Sequence, residues 1–140
     1  MTKDVLISIR GMQFEGAMDT EDIEVIQRGH YYCRGGMHYL VYEEPVEGTD
    51  QIIKNLIKFN DRELYVTKKG AINTALSFRM NEKNLTSYGT PFGNIMVGLH
   101  THQVELTKQD KDMLLTVAYS LDVNYEFLTD CSIRIEVKEI

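Results

Sequence analysis

The chain has 140 residues, of which 43% are hydrophobic and 26% are charged, and its formal net charge is −6. A chain of this length is the size of one ordinary domain and can bury about two-thirds of its unfolded surface in one core. The acidic excess argues against nucleic acids and anionic membranes as partners, because such binders usually show a basic face. No apolar run is long enough to span a membrane, and the first residues do not resemble a signal peptide. We therefore expect a single cytoplasmic domain over residues 1–140.

Taken in chain order, the sequence alternates apolar and polar residues with a period of two, which is typical of half-buried strands. The first apolar row is formed by Val5, Ile7 and Ile9. Four later rows are Met37, Tyr39 and Val41; Ile72, Thr74, Leu76 and Phe78; the odd-numbered residues from Met113 to Tyr125; and Cys131, Ile133, Ile135 and Val137. One buried and one wet face per strand indicates an antiparallel sheet.

Turn signals separate these segments at short intervals. Gly35 and Gly36 suit a tight hairpin, because glycine tolerates positive φ, and residues 59–63 and 68–71 are further breaks. This spacing predicts about eight to ten strands in a sandwich or a closed barrel. The segments on either side of residues 107–112 are long, which favours an up-and-down barrel because closure removes the exposed sheet edges.

Residues 50–59 are ambiguous between helix and strand. Their apolar residues have helical spacing, and a preceding threonine or aspartate could cap a helix. A period of two also fits, with Ile53, Ile57 and Phe59 on one face. We favour a strand, because the run is short and leads straight into the next hairpin signal.

Five stretches carry a resemblance that spans nearly the whole chain. They are "VLISIRGMQ", "YLVYEE" followed by Gly48, "YVTKKGAINTALSF", "YGTPFGNIMVGLHT" and the ending "LLTVAYSLDVN…IRIEV". In this order they resemble a small bacterial family of calycin-like, or lipocalin-like, β-barrels, the YwiB type. The resemblance implies an antiparallel barrel of about eight to ten strands. It implies no activity and carries no functional residue across.

Calycin relatives suggest a binding module for a small apolar molecule, by analogy of fold alone. Fatty-acid-binding relatives often hold a carboxylate with arginine and tyrosine from late strands. Here Arg134 alternates with Ile133 and Ile135, so we expect it on the outer face. This departure weakens the fatty-acid hypothesis.

His100 and His102 lie two residues apart in a predicted strand, so their side chains share a face. A metal site needs three or four converging ligands. Parity places Glu105 on the opposite face, no histidine follows the pair, and His30 and His38 precede it. We expect no metal and no cofactor, and we interpret the two imidazoles as exposed or lumen-lining wall residues.

Cys33 and Cys131 lie far apart and outside any C-x-x-C spacing. In a cytoplasmic protein this predicts two free thiols. We interpret them as core or wall residues rather than nucleophiles, because a catalytic cysteine needs a histidine beside it.

The barrel hypothesis selects a set of ligand-contacting candidates. Tyr39 and Tyr119 would line the lumen with aliphatic neighbours, and the aromatic residues of "YGTPFG" would plug or gate one mouth. The complete set is Tyr39, Tyr88, Phe92, His100, His102, Leu115, Val117 and Tyr119.

Three functions compete. We favour binding of a small apolar or amphipathic molecule in or at the mouth of the barrel, because no catalytic constellation is visible. The first alternative is a scaffold or interaction protein with a filled lumen, which could act as a homodimer. The second is a metal-dependent enzyme built on His100 and His102. The sequence leaves the ligand, the state of the lumen, the oligomeric state and any catalytic activity open.

We predict that the histidine pair holds no tightly bound metal, because two imidazoles alone bind divalent ions weakly. The check is elemental analysis of protein purified without chelator or affinity tag, beside the double variant His100→Ala and His102→Ala. Stoichiometric zinc, iron or manganese that disappears in the double variant would contradict the prediction.

Overall fold

The structure is a computed structural model that describes residues 3–11, 24–70, 73–90 and 93–140, with only the backbone for residues 88–90. Its strands are β1 (Lys3–Arg10), β2 (Glu24–Arg34), β3 (Met37–Pro45), β4 (Ile52–Phe59), β5 (Glu63–Gly70), β6 (Thr74–Arg79), β7 (Lys83–Thr90), β8 (Gly93–Lys108), β9 (Asp112–Val123) and β10 (Glu126–Glu139). No helix in these ranges is long and apolar enough to cross a membrane.

All ten strands belong to one antiparallel sheet with the order β6-β5-β4-β3-β2-β1-β10-β9-β8-β7. Neighbours in the sheet are neighbours in the chain, apart from β1 and β10, which pair with Ile7 opposite Val137 and Ile9 opposite Ile135. This order is an up-and-down meander whose two ends join at β1 and β10. The predicted all-β, up-and-down antiparallel barrel is confirmed.

The two edge strands, β6 and β7, meet at a seam that side chains bridge. The Asn84 amide donates to the Ser77 carbonyl oxygen at 3.3 Å, and the Thr86 hydroxyl donates to the Ala75 carbonyl oxygen at 3.3 Å. These two bonds occupy the place of backbone ladder bonds, so the barrel is nearly closed rather than continuous. The short turn between β6 and β7 keeps the edges together.

Alternate residues of the strands point inward and form one core. Its largest fully buried side chains are Tyr119, Phe59, Phe78, Ile7, Leu40, Ile57, Leu64, Leu99, Leu115, Ile133, Ile135 and Val5. Phe78 and Tyr119 come from strands that are not sheet neighbours, and their rings make an edge contact with centroids 4.9 Å apart. Side chains therefore fill the middle of the barrel.

The antiparallel meander gives the barrel two distinct ends. One end, here named the terminal mouth, contains Lys3 and Ile140 and the connections 35–36, 60–62, 80–82 and 109–111. The other, here named the far mouth, contains the connections 46–51 and 124–125. Residues toward the two ends of each strand therefore contribute to different openings.

The structure confirms most of the predictions of which strand residues point into the barrel. Residues 50–59 contribute strand β4, with Ile53, Ile57 and Phe59 buried on one face, so the helical alternative is wrong. The apolar row of β9 is inward-facing as predicted, but Tyr125 leaves it: this residue is 72% exposed. It occupies the turn after β9 with φ of 70°, so the alternation ends where the chain reverses.

We predict that Leu115→Ala destabilises the protein by about 2–5 kcal/mol, because Leu115 is 1% exposed and its truncation leaves a cavity. The matched control is Leu114→Ala, whose side chain is half-buried on the outer face. The decrease in the free energy of unfolding, measured by urea unfolding at equilibrium, should be clearly smaller for Leu114→Ala than for Leu115→Ala. Equal losses would contradict the assignment of the two faces.

Candidate functional site

The terminal mouth contains a cavity of about 340 Å³. Its apolar wall comes from Val5, Met113 and Val137, on three neighbouring strands of the sheet. Its polar wall comes from β2 and β3, where Tyr31 and His38 line the same space. A cavity with one apolar and one polar wall is the usual form of a small-molecule site.

The half-buried Tyr31 and the buried His38 form a polar pair at this mouth. The tyrosine hydroxyl lies 2.7 Å from His38 Nδ1, and the His38 ring stacks on Phe59 with centroids 5.2 Å apart. The tight hairpin at Gly35 and Gly36 creates this arrangement, because it places β2 and β3 in register and gives both side chains the lumen face. His38 is 6% exposed.

Both members of the pair are neutral near pH 7. Burial lowers the pKa of His38 below its usual value of 6.5, and the positive charge of Lys108 lowers it further. Burial raises the pKa of Tyr31, and the neighbouring Cys33 adds to the effect. A neutral imidazole and a phenol can exchange donor and acceptor roles, so the pair can meet either kind of polar group on a ligand.

Charged side chains surround the rim in equal numbers. Lys3 pairs with Glu139 at 2.9 Å. Lys108 and Lys111 also line the cavity, together with Asp110 and Asp112, and the described residues provide no ion pair for any of these four. Of these charges, Lys108 is the one whose positive charge lowers the pKa of His38.

His100 and His102 lie on the outer face of β8, so the lumen-lining alternative is wrong for both. Their ring centroids are 4.6 Å apart. His102 Nε2 lies 2.6 Å from the Ser120 hydroxyl, which donates to Asp130 at 2.8 Å. Serine stands between histidine and aspartate here, whereas a catalytic triad needs histidine in the middle. The chain of bonds orients His102 without activating a nucleophile.

The expected position of Glu105 is corrected by a β-bulge. The register between β8 and β9 shifts between Thr101 and Gln103, so one extra residue enters β8. Parity reverses after the bulge, and Glu105 is exposed on the same outer face as His102. Within the described ranges, no group of three or more His, Cys, Asp or Glu side chains could hold a metal ion.

Leu115, Val117 and Tyr119 point into the barrel, as predicted, and each is 1% exposed. They lie in the filled middle rather than on the terminal cavity. The Tyr119 hydroxyl has a partner in Cys131, which lies directly opposite on β10. The polar group that a buried tyrosine needs is thus supplied by the barrel itself.

Tyr39 was expected in the lumen and instead lies on the outer surface. Its ring stacks on Tyr32 with centroids 4.6 Å apart, and Lys58 Nζ lies 5.7 Å from the ring centroid. The neighbours His38 and Leu40 are the buried ones. Both rows of this strand are rich in large apolar side chains, so alternation alone does not distinguish its two faces.

Of the remaining ligand-contacting candidates, the structure describes the backbone of Tyr88 but not Phe92. Tyr88 belongs to β7 by its backbone, and Phe92 lies outside the described residues. Both cysteines are free thiols, as expected, with Cys33 exposed and Cys131 half-buried. Tyr31 and His38 were not among the predicted ligand-contacting residues, although the register of the Gly35–Gly36 hairpin places both on one face.

The fold and its mouths define a small antiparallel β-barrel protein. A family model described as "Domain of unknown function (DUF1934)" matches residues 7–135. The chain therefore belongs to the DUF1934 family, and the predicted relation to the YwiB type is confirmed.

Two comparisons support this assignment. The "Uncharacterized beta-barrel protein YwiB" of Bacillus subtilis (strain 168) is 24% identical over 106 residues, which cover 76% of this chain and 73% of that protein. The crystal structure of the ywiB protein from Bacillus subtilis matches with a TM-score of 0.76 and 18% identity, over 99% of this chain and 93% of the other. At this identity the structural match establishes the shared fold.

We predict that acidification destabilises the protein in part through His38. Because the folded state holds the pKa of His38 below 6.5, the unfolded chain binds this proton more readily. The free energy of unfolding therefore decreases as the pH falls from about 7 through the folded pKa. His38→Gln should flatten the pH dependence of the urea midpoint in this window, and His100→Gln on the outer face is the control. An NMR titration midpoint for His38 at or above 6.5 would contradict the prediction.

Proposed function

We propose that the protein binds a small amphipathic molecule at the terminal mouth. The observation that carries this proposal is the cavity of about 340 Å³, which joins the apolar wall of Val5, Met113 and Val137 to the hydrogen-bonded Tyr31–His38 pair. Its volume is within the range of about 300–1,000 Å³ that small-molecule sites occupy. The apolar part of the ligand would lie on the aliphatic wall, and its polar group would meet the pair.

Lys108 favours a ligand that places an acceptor or an anion on its side of the rim. The positive charge of Lys108 acts on His38, and this lysine has no ion-pair partner among the described residues. An anionic group placed between them would gain a charge-assisted hydrogen bond from the lysine. The same group would raise the pKa of His38, so binding and protonation of the imidazole would be coupled.

The partner that we infer is a small molecule in the cytoplasm rather than a nucleic acid or a membrane. The net charge of −6 disfavours polyanionic partners, and the charges around the cavity form no basic patch. A scaffold with a filled barrel is the alternative, favoured by the ring contact between Phe78 and Tyr119 in the middle. The two functions differ in whether the mouth binds a ligand saturably.

We predict that octanoate and 1-octanol both bind saturably, as measured by isothermal calorimetry and by NMR shifts at the mouth. Met113→Lys should weaken the binding of both compounds by about tenfold or more, because it places a charge on the apolar wall. The adjacent Leu114→Lys, on the outer face, is the matched control and should have little effect.

Lys108→Met separates the polar contribution from the apolar one. This change should weaken the binding of octanoate by about tenfold and leave the binding of 1-octanol nearly unaffected, because only octanoate carries a charge. The absence of saturable binding of either compound to the unaltered protein would exclude this function and favour the scaffold.

A further inference from the structure

Strands β2 and β3 separate before either of them ends. They pair from their hairpin as far as His30 and Val41. Beyond this level, among the described strands, residues 24–29 of β2 pair with β1 alone, and residues 42–45 of β3 pair with β4 alone. The wall of the barrel is therefore divided between these two segments.

A cavity of about 620 Å³ lies where the two strands separate, and it is here named the side cleft. The strand residues that line it are Arg28, Gly29 and His30 of β2 and Val41, Tyr42 and Glu43 of β3. A Cβ atom at Gly29 would lie 2.8 Å from the Val41 carbonyl oxygen, so the strands are still in contact at the base of the cleft. Small-molecule sites occupy about 300–1,000 Å³, so the side cleft has room for a ligand of this kind.

The two lips of the side cleft carry backbone groups that the ladder leaves unpaired. In an antiparallel pair of strands, hydrogen-bonded pairs of residues alternate with non-bonded pairs. The two-residue turn at 35–36 makes its flanking residues the first bonded pair, so His30 and Val41 are a bonded pair as well. Arg28 and Glu43 would be the next, but the ladder ends before them. Their N–H and C=O groups therefore face the cleft with no backbone partner among the described residues.

The side chains on the two lips have opposite charges. Arg28 and Glu43 are both exposed, and neither has an ion-pair partner in the part of the chain that the structure describes. Lys54 is opposite Glu43 on β4 but makes no ion pair with it. By contrast, His30 Nδ1 lies 3.0 Å from Asp4 Oδ1, so these two side chains are partners of each other. Arg28 and Glu43 thus offer their charges to a ligand.

We propose that the side cleft binds a short peptide with free termini. Arg28 would hold the carboxylate, Glu43 would hold the ammonium group, and the unpaired backbone groups of the two lips would pair with the peptide bond. Val41 and Ile140, which also line the cavity, would contact an aliphatic side chain of the peptide. The site lies in the wall of the barrel and does not depend on the function proposed for the terminal mouth.

Three peptides that differ only at their ends test this proposal on the full chain. Alanyl-leucine has both charges, N-acetyl-alanyl-leucine lacks the ammonium group, and alanyl-leucinamide lacks the carboxylate. Alanyl-leucine should shift the backbone amide signals of Arg28 and Glu43 saturably at millimolar concentrations. Each of the other two peptides should bind about fivefold more weakly, which is the contribution of one exposed ion pair. Equal affinities for the three peptides, or no saturable response to alanyl-leucine, would overturn the proposal.

Two variants assign each terminus to its lip. Arg28→Gln should weaken the binding of alanyl-leucine and of the acetylated peptide about fivefold and leave the binding of alanyl-leucinamide unchanged, because the amide has no carboxylate. Glu43→Gln should weaken the binding of alanyl-leucine and of alanyl-leucinamide and leave the binding of the acetylated peptide unchanged. Both side chains are exposed, so neither change removes a core contact.

Matched controls come from exposed residues outside the side cleft. Arg34→Gln and Glu47→Gln change the net charge in the same way and should leave all three affinities unchanged. Met113→Lys should not alter them either, which separates this site from the terminal cavity. The proposal fails if Arg28→Gln or Glu43→Gln weakens the three peptides equally, or if the controls have the same effect as these two variants.

Discussion

The pairing of β1 with β10 is the interaction on which the rest of the structure depends. Every other pair of neighbouring strands is joined by a connection in the chain, whereas this pair joins the two ends of the sequence. Ile7 and Ile9 face Val137 and Ile135 across it, so an apolar row forms together with the backbone ladder. The loop that it closes contains nearly the whole chain, and its entropy cost must be offset by burial in the core. Without this pairing, the six strands β1 to β6 and the four strands β7 to β10 would be joined only at the β6–β7 seam, and β1 and β10 would become open edges.

The same pairing builds the terminal mouth. It brings Val5 and Val137 onto one wall, while β2, held on the other side of β1, presents Tyr31 to the same space. The cavity thus collects strands from both ends of the chain. Toward the far mouth, the inward face of the consecutive strands β3, β4 and β5 instead carries the polar side chains Tyr42, Glu44, Asn55 and Lys68. One barrel therefore has two chemically different openings separated by a packed middle.

Two local irregularities determine which residues reach the solvent. The bulge in β8 adds one residue after Thr101 and brings Glu105 to the outer face with His102. The turn after β9 uses positive φ at Asn124 and Tyr125, which removes Tyr125 from the apolar row. Each change reverses or ends an alternation that is otherwise regular. Odd or even position therefore assigns a residue to a face only within an uninterrupted stretch of strand.

The sequence by itself determined the fold class and the inward rows of β9 and β10, because each depends on local alternation and turn chemistry. It favoured a strand at residues 50–59 but left a helix open there, because both periods fit so short an apolar run. It did not distinguish the faces of β3, where Tyr39 and Leu40 are both large and apolar, so only the packed barrel decided that Leu40 points inward. The same limit applies to the two mouths. The contact of Tyr31 with His38 and the hydrogen bond from Asn55 to Glu44 depend on which strands become neighbours and in what register. Such partners lie across strands rather than along one, and a single strand's pattern carries no information about them.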